Sequence, residues 1–366
     1  MPLPYETRMK RLLRKLEENA IEAALVTTPS SIAYYTGFKS DPMERFLALW
    51  IGADGKATLF VPELDALKAE GAQGIDRLAA IPDGKPPLEL LKGASKIAPE
   101  CCGIEKDAVS WQLAERLIAL WPETEFVDIG ESVREMRGRK TREEADCARA
   151  AARIADQALE AAIRAFKRGM RERELAEEID RQVRLAGGEG NAFLTTVLGG
   201  KRTAYPHGET GLHPIGEGDF LLVDMGVASQ GYLSDMTRTF LVGEGTEEQA
   251  RIYETVREAS RRAIDAVRAG EPLAGIDEAA RSWIRQSGYG GYFPHRVGHG
   301  LGMEVHEPPS IHGWNEELIV PGMLFTIEPG IYVPGIGGVR IEDDVYVNES
   351  GLAELLTGFP KRLIRL

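Results

Sequence analysis

Cysteine is scarce in this chain: Cys101, Cys102 and Cys147 are the only three in 366 residues. The count is odd, and adjacent Cys101 and Cys102 are poorly placed to bridge each other, so no disulfide framework is expected and a reducing cytoplasm fits best. No stretch approaches the ~18 consecutive apolar residues needed to cross a bilayer. The opening MPLPYETRMKRLLRKLEENA lacks the apolar core of a secretory signal. Basic residues are outnumbered, 44 Lys and Arg against 57 Asp and Glu, for a net charge of −13. That balance argues against a broad phosphate-binding face, so neither nucleic acid nor membrane is an expected partner. Histidine is also rare, yet all six lie between His207 and His312. Clustering of the side chain that both ligates metals and titrates near neutrality points to a site in the second half.

What is present is a globular composition, 43% hydrophobic and 28% charged, at a length that suggests two domains. Residues 1–130 alternate strand-like runs with helical ones. Ile21–Val26, Phe46–Ile51, Ala57–Val61, Cys102–Glu105 and Phe126–Ile129 read as strands, and Trp111–Trp121 reads as a helix. This is the pattern of an α/β domain, with no Gly-rich phosphate loop in it. The charged run around Arg134–Lys140 reads as a linker over 131–140. Thr141 and Glu144 then have capping-box spacing at the start of an Ala-rich helix.

Residues 141–366 contain an internal repeat. The first copy has helices at 141–168 and 174–186, then strands Phe220–Gly226 and Leu233–Phe240. The second has helices at 247–268 and 276–287, then strands Leu324–Gly330 and Val339–Val345. Each first strand carries an acid, Asp224 or Glu328, separated by 328 − 224 = 104 residues, and each second strand carries another, Asp235 or Glu342. An aspartate inside Leu-Leu-Val-Asp-Met-Gly is costly to bury unless something compensates its charge. Close carboxylates repel unless a cation lies between them or one is protonated. Two divalent cations would cancel the charge of this quartet. With His299, in Gly298-His299-Gly300-Leu301-Gly302, the donors are oxygen-rich with one imidazole, which suits Mn, Co or Fe better than structural zinc. The surrounding string is not HExxH, and no strand–turn–helix context makes it a dinucleotide loop.

The set Asp224, Asp235, His299, Glu328 and Glu342, with gaps of 11, 64, 29 and 14 residues, resembles the five-ligand dinuclear site of the "pita-bread" metallopeptidases of the creatinase, prolidase and aminopeptidase P family. Tyr205-Pro206-His207-Gly208, Ser234-Asp235-Met236-Thr237-Arg238-Thr239, Val305-His306-Glu307 and Ile327-Glu328-Pro329-Gly330 are similar to that family's motifs. Ser30–Phe38 resembles part of its N-terminal domain. The resemblance implies an α/β (α+β) chain: a creatinase-type domain over 1–130 and a pita-bread catalytic domain over 141–366 with a pseudo-two-fold repeat. It implies Asp235 as a bidentate ligand of one metal, Asp224 and Glu342 as bridges, and His299 and Glu328 on the other metal. His207, His295 and His306 would line the substrate pocket, with His207, His306 and Glu328 catalytic, and Arg340 would orient the bridging acids and border the substrate. Two divalent metals are expected, Mn2+ first, with Co2+, Fe2+ or Zn2+ as the other candidates. The implied activity is hydrolysis of Xaa-Pro bonds by a metal-bridging hydroxide, in a cytoplasmic homodimer. A prolidase acting on dipeptides is the first expectation, and an aminopeptidase P acting on longer peptides is the alternative. An inactive binding module or a metal-free amidinohydrolase of the same fold would not need all five ligands, and a plain methionine aminopeptidase would not need the N-terminal domain.

Overall fold

A computed structural model describes residues 3–95 and 97–366. It divides into two compact units, the first ending at Arg137 and the second running from Gly138 to Leu366. The first unit is built on a six-stranded mixed sheet. Its strands run, from edge to edge, Arg77–Ile81, Ala57–Pro62, Ala48–Ile51, Ala23–Val26, Cys101–Ile104 and Glu125–Asp128. Leu25, Trp50, Phe60, Leu117 and Trp121 fill its core, with the two indoles 5.4 Å apart. Buried Glu105 accepts hydrogen bonds from the Thr27 and Thr28 amides and the Ser31 hydroxyl, which anchors the entry to the helix Pro29–Thr36. The charged run expected to form a linker is mostly helix instead, Gly130–Gly138. Val133 and Met136 are buried on one of its faces, so its charges belong to an amphipathic surface.

The second unit carries the repeat. The helices Arg142–Ala165 and Glu172–Leu185 precede the strands Thr196–Gly199, Phe220–Met225 and Met236–Leu241. The helices Glu247–Asp265 and Ala274–Gln286 precede the strands Leu324–Ile327, Gly330–Val333, Gly337–Arg340 and Asp343–Val347. The first helix begins with the expected box: Thr141 Oγ1 accepts from the Glu144 amide, and the Glu144 carboxylate accepts from the Thr141 amide at 2.7 Å. Glu144 also receives the Tyr232 hydroxyl at 2.6 Å. Thr141→Ala should cost about 1 kcal/mol of unfolding free energy in urea titration, since it removes one cap acceptor and leaves the Glu144 bond in place.

Side-chain alternation decides which residues face the helices and which face away. Leu221, Val223, Met225, Met236 and Phe240 pack beneath the first helix pair. Phe325, Ile327, Val339, Ile341, Val345 and Val347 pack beneath the second. Asp224, Thr237, Glu328, Arg340, Glu342 and Asp344 therefore occupy the opposite face.

Backbone pairing corrects one part of the sequence reading. Asp224 pairs with Thr237, whereas Ile327 pairs with Asp343 and Gly330 with Arg340, which sets Glu342 across from Glu328. Thr237, not Asp235, is thus the repeat counterpart of Glu342 (342 − 237 = 105), and Asp235 corresponds to Arg340. The strands expected to be continuous also break at the acids. Asp235, Glu328 and Glu342 each lie between two strands. Pro329 cannot donate to a ladder. The freed amides find partners elsewhere: Glu328 N donates to Val297 O at 2.8 Å, Glu342 N to Thr237 O at 3.1 Å, and Asp235 N to the Asp344 carboxylate at 3.2 Å. The last two of these bonds join the halves of the repeat.

Candidate metal centre and substrate cavity

Strand pairing and the joins between the halves bring the acids to a cavity of about 590 Å³. Its lining includes every residue expected from the sequence: His207, Asp224, Asp235, His295, His299, His306, Glu328, Arg340 and Glu342. Phe193, Pro206, Arg296 and Val305 complete it. His213 and His312 lie outside, so the histidine cluster marked the region more broadly than the site. A larger cavity, about 820 Å³, in the first unit has no histidine in its lining.

His299 is buried, and its Nδ1 lies 3.1 Å from the Gly300 carbonyl. A carbonyl can only accept, so Nδ1 carries the proton and Nε2 presents a lone pair. That lone pair faces Glu328 Oε1 at 3.5 Å and Asp235 Oδ2 at 3.7 Å. Ligating atoms of Asp235, His299 and Glu342 all fall within 4.8 Å of one another. Lone pairs converging in this way repel unless a cation sits among them or one of the acids is protonated.

The acids report the same conflict. Burial, then Glu342 and Asp224, pushes the Asp235 carboxyl well above the usual carboxylate range. Burial, then Glu328 and Asp224, does the same to Glu342. Glu328 is raised to about 7, chiefly by burial. Burial lowers His299 to about 3, which keeps its imidazole neutral. Asp224 Oδ1 is buried without a hydrogen-bond partner. An orphaned carboxylate oxygen beside a neutral imidazole and raised carboxyls is a donor set that divalent cations satisfy, and the residues present fit such a pair.

The other oxygen of Asp224 is held. Arg340 donates from Nη2 to Asp224 Oδ2 at 2.5 Å, from Nε to Thr237 Oγ1 at 3.0 Å and from Nη1 to the Tyr332 hydroxyl at 3.1 Å. Thr237 in turn donates to Glu342 Oε2 at 2.6 Å. Tyr332 lies 2.9 Å from His295 Nε2, while His295 Nδ1 bonds the Arg296 carbonyl at 2.8 Å. Both ring nitrogens of His295 are therefore engaged by the protein, and burial lowers it to about 4. His306 stacks edge-to-face on His299, centroids 4.2 Å apart. His207 and His306 are the exposed histidines of the cavity. Thr237 and Tyr332 escaped the sequence reading: a neutral threonine inside an acid-bearing string and a tyrosine in an apolar run carry no signal until the hairpins pair.

Residues 146–349 match the model of metallopeptidase family M24, and residues 8–138 match the creatinase/prolidase N-terminal domain. The protein YkvY of Bacillus subtilis (strain 168) is 39% identical, covering 98% of this chain and 99% of its own length. An Xaa-Pro dipeptidase from Bacillus anthracis superposes with a TM-score of 0.91 at 32% identity, covering 99% of this chain and 100% of that one. An X-Pro aminopeptidase from Thermotoga maritima MSB8 does so with a TM-score of 0.88 at 30% identity, covering 98% and 100%.

Proposed function

The chain belongs to metallopeptidase family M24, with a creatinase/prolidase N-terminal domain before the peptidase, and from that membership we propose that it hydrolyses Xaa-Pro dipeptides. Asp224, Asp235, His299, Glu328 and Glu342 would hold a pair of divalent cations. Mn2+ is the first choice for so oxygen-rich a set. Such a pair supplies an activated water and a Lewis acid for the scissile carbonyl.

The chain's own groups do the rest. Glu328 lines the cavity with its carboxyl 3.5 Å from His299, and it takes the proton of the attacking water and delivers it to the leaving proline nitrogen. His207 and His306 donate hydrogen bonds to the substrate and to the oxygen that gains charge. His295, with both nitrogens engaged, walls the cavity. Arg340, committed to Asp224, Thr237 and Tyr332, fixes Asp224 and, through Thr237, Glu342 instead of gripping substrate. Cysteines not joined as disulfides among the described residues fit residence in the cytoplasm, and a homodimer belongs to the same reading.

One observation favours a dipeptidase over an aminopeptidase. A dipeptide places its terminal carboxylate inside the cavity, and among the described residues the cavity's arginines are Arg296 and Arg340. Arg340 is buried in its own bonds, whereas Arg296 is only partly buried and donates from Nη1 to Ser310 at 3.1 Å. Arg296 is the cation placed to receive that carboxylate. With Mn2+-loaded protein, an Xaa-Pro dipeptide should show higher kcat/KM than an Xaa-Pro-Yaa tripeptide. Arg296→Met should raise KM for the dipeptide about tenfold or more through loss of a charge-assisted bond, and leave the tripeptide nearly unchanged. A preference for the tripeptide in the unsubstituted protein would instead assign an aminopeptidase.

A further inference from the structure

His207 sits on the segment that leaves the sheet at Gly199 and rejoins it at Phe220, with a short 3-10 helix at Gly200–Ala204. A segment of this kind has few backbone partners of its own, yet a histidine that meets substrate must be held to a fraction of an ångström. A single carboxylate holds it on either side of His207. Glu172, the first residue of the helix Glu172–Leu185, is 0% exposed. Its Oε1 accepts from the Gly199 amide at 2.9 Å and from Arg202 Nε at 2.9 Å. Its Oε2 accepts from the Gly211 amide at 2.8 Å. Arg202 then donates onward to the Glu209 carbonyl at 2.6 Å, drawing the two limbs together on either side of His207. Glu172 is not part of the cavity lining, so its burial is not explained by contact with metal or substrate.

The second half repeats the device with different bonds. Asp277 is 1% exposed in the first turn of Ala274–Gln286, though at a different position from Glu172, whose counterpart by backbone hydrogen bonding is Leu273. Its carboxylate receives Arg281 Nε at 2.6 Å and Nη2 at 2.8 Å. Arg281 donates to the carbonyls of Phe293 at 3.1 Å and His295 at 2.8 Å. In both halves a buried acid at the head of the second helix grips the segment that carries a cavity histidine. A buried carboxylate is costly, and the presence of one beside each of these histidine segments marks a function beyond filling space.

We propose that Glu172 is a positioning residue for the peptidase reaction, setting the place of His207 in the cavity through Gly199, Arg202 and Gly211. The proposal rests on the reading above in which His207 touches substrate. Glu172→Gln puts an amide donor where donors already converge, so it loosens the grip without emptying the space.

The test is a double-mutant cycle on Mn2+-loaded protein with an Xaa-Pro dipeptide, with metal content measured alongside. Glu172→Gln should lower kcat/KM about tenfold while the metal content matches that of the unsubstituted protein. In a His207→Ala background the same substitution should change kcat/KM by less than about twofold, because its route of action has gone. A merely structural role would give equal losses in both backgrounds, and that result overturns the proposal. Arg202→Met, at a partly exposed side chain, gives the cycle a milder arm should Glu172→Gln not fold, and its smaller loss should likewise vanish beside His207→Ala. Full activity of His207→Ala would remove the premise about His207 itself, a result distinct from additivity in the cycle.

Discussion

Asp235→Ala and Glu342→Ala should each abolish hydrolysis of an Xaa-Pro substrate and reduce bound metal below two per chain. Both residues are buried, and both offer oxygens within 4.8 Å of the His299 imidazole, so no neighbouring side chain can take over the vacated position without moving a strand. Loss of activity alone could also follow from unfolding, but the electrostatics predict the reverse for the metal-free chain. Burial and Glu342 disfavour the ionised form of Asp235, so removing it relieves repulsion. The metal-free variant should therefore melt no lower than the metal-free parent. The parent should gain stability on addition of Mn2+, about 2.7 kcal/mol at a hundredfold excess over the dissociation constant, and the variant should gain little. The pH dependence follows in sign. Carboxyls raised above their unfolded values contribute stability that is full below about pH 4 and is lost as pH rises through the folded values. For Glu328 that loss runs from its ordinary range up to about 7, where it is complete. Metal-free parent should thus fall in stability relative to Asp235→Ala as the pH is raised from about 5 toward 8, and Mn2+ should remove the difference. Full activity of either variant after chelation and remetallation would overturn the ligand assignment.

The sequence made the acids legible because burying charge among Leu, Val and Ile breaks a pattern, and a break is visible in one dimension. Asp224 in Phe220–Met225 and Glu328 after Leu324–Ile327 announce themselves in this way, and their equal placement in two copies exposed the repeat. Which acid matches which was not legible. Counting carboxylates pairs Asp235 with Glu342, while the hydrogen-bond register pairs Thr237 with it, and register is a property of two strands together. Neutral partners were hidden for the same reason. Thr237 matters because Arg340 and Glu342 both reach it from more than a hundred residues away, and Tyr332 because its hydroxyl falls between Arg340 and His295. The strand breaks at Asp235, Glu328 and Glu342 were likewise invisible in an apolar run, except for the hint that Pro329 gives. In the first unit, the spacing of Val133 and Met136 is helical, a signal that the surrounding charge masks in the sequence.

Arg238→Met should be the most destabilising single change away from the cavity lining, by about 3–5 kcal/mol in urea titration of the metal-loaded protein. The guanidinium is 1% exposed. Its Nη2 meets Asp343 Oδ1 at 2.7 Å and the Phe359 carbonyl at 2.8 Å, Nε meets that carbonyl at 3.1 Å, and Nη1 meets the carbonyls of Thr237 at 2.9 Å and Glu342 at 2.5 Å. Methionine fills most of the volume but leaves those carbonyls without their donor and Asp343 with only Lys361 and Thr357 as its side-chain partners. Burial pushes Asp343 up, but Arg238 and Lys361 outweigh it and hold the carboxyl below its ordinary value. A depressed carboxylate contributes stability above about pH 4 that is lost as pH falls through the folded value, so the gap between parent and variant should narrow on acidification below about 4. Adding Asp343→Asn to Arg238→Met should return part of the loss, because it removes the buried charge the first change left under-compensated. Two of the lost bonds end on the backbone of Thr237 and Glu342, and the others on Asp343 and the C-terminal segment at Phe359. The variant should therefore also bind Mn2+ more weakly, and its C-terminal residues should become accessible to carboxypeptidase, two readouts that a simple core cavity would not produce.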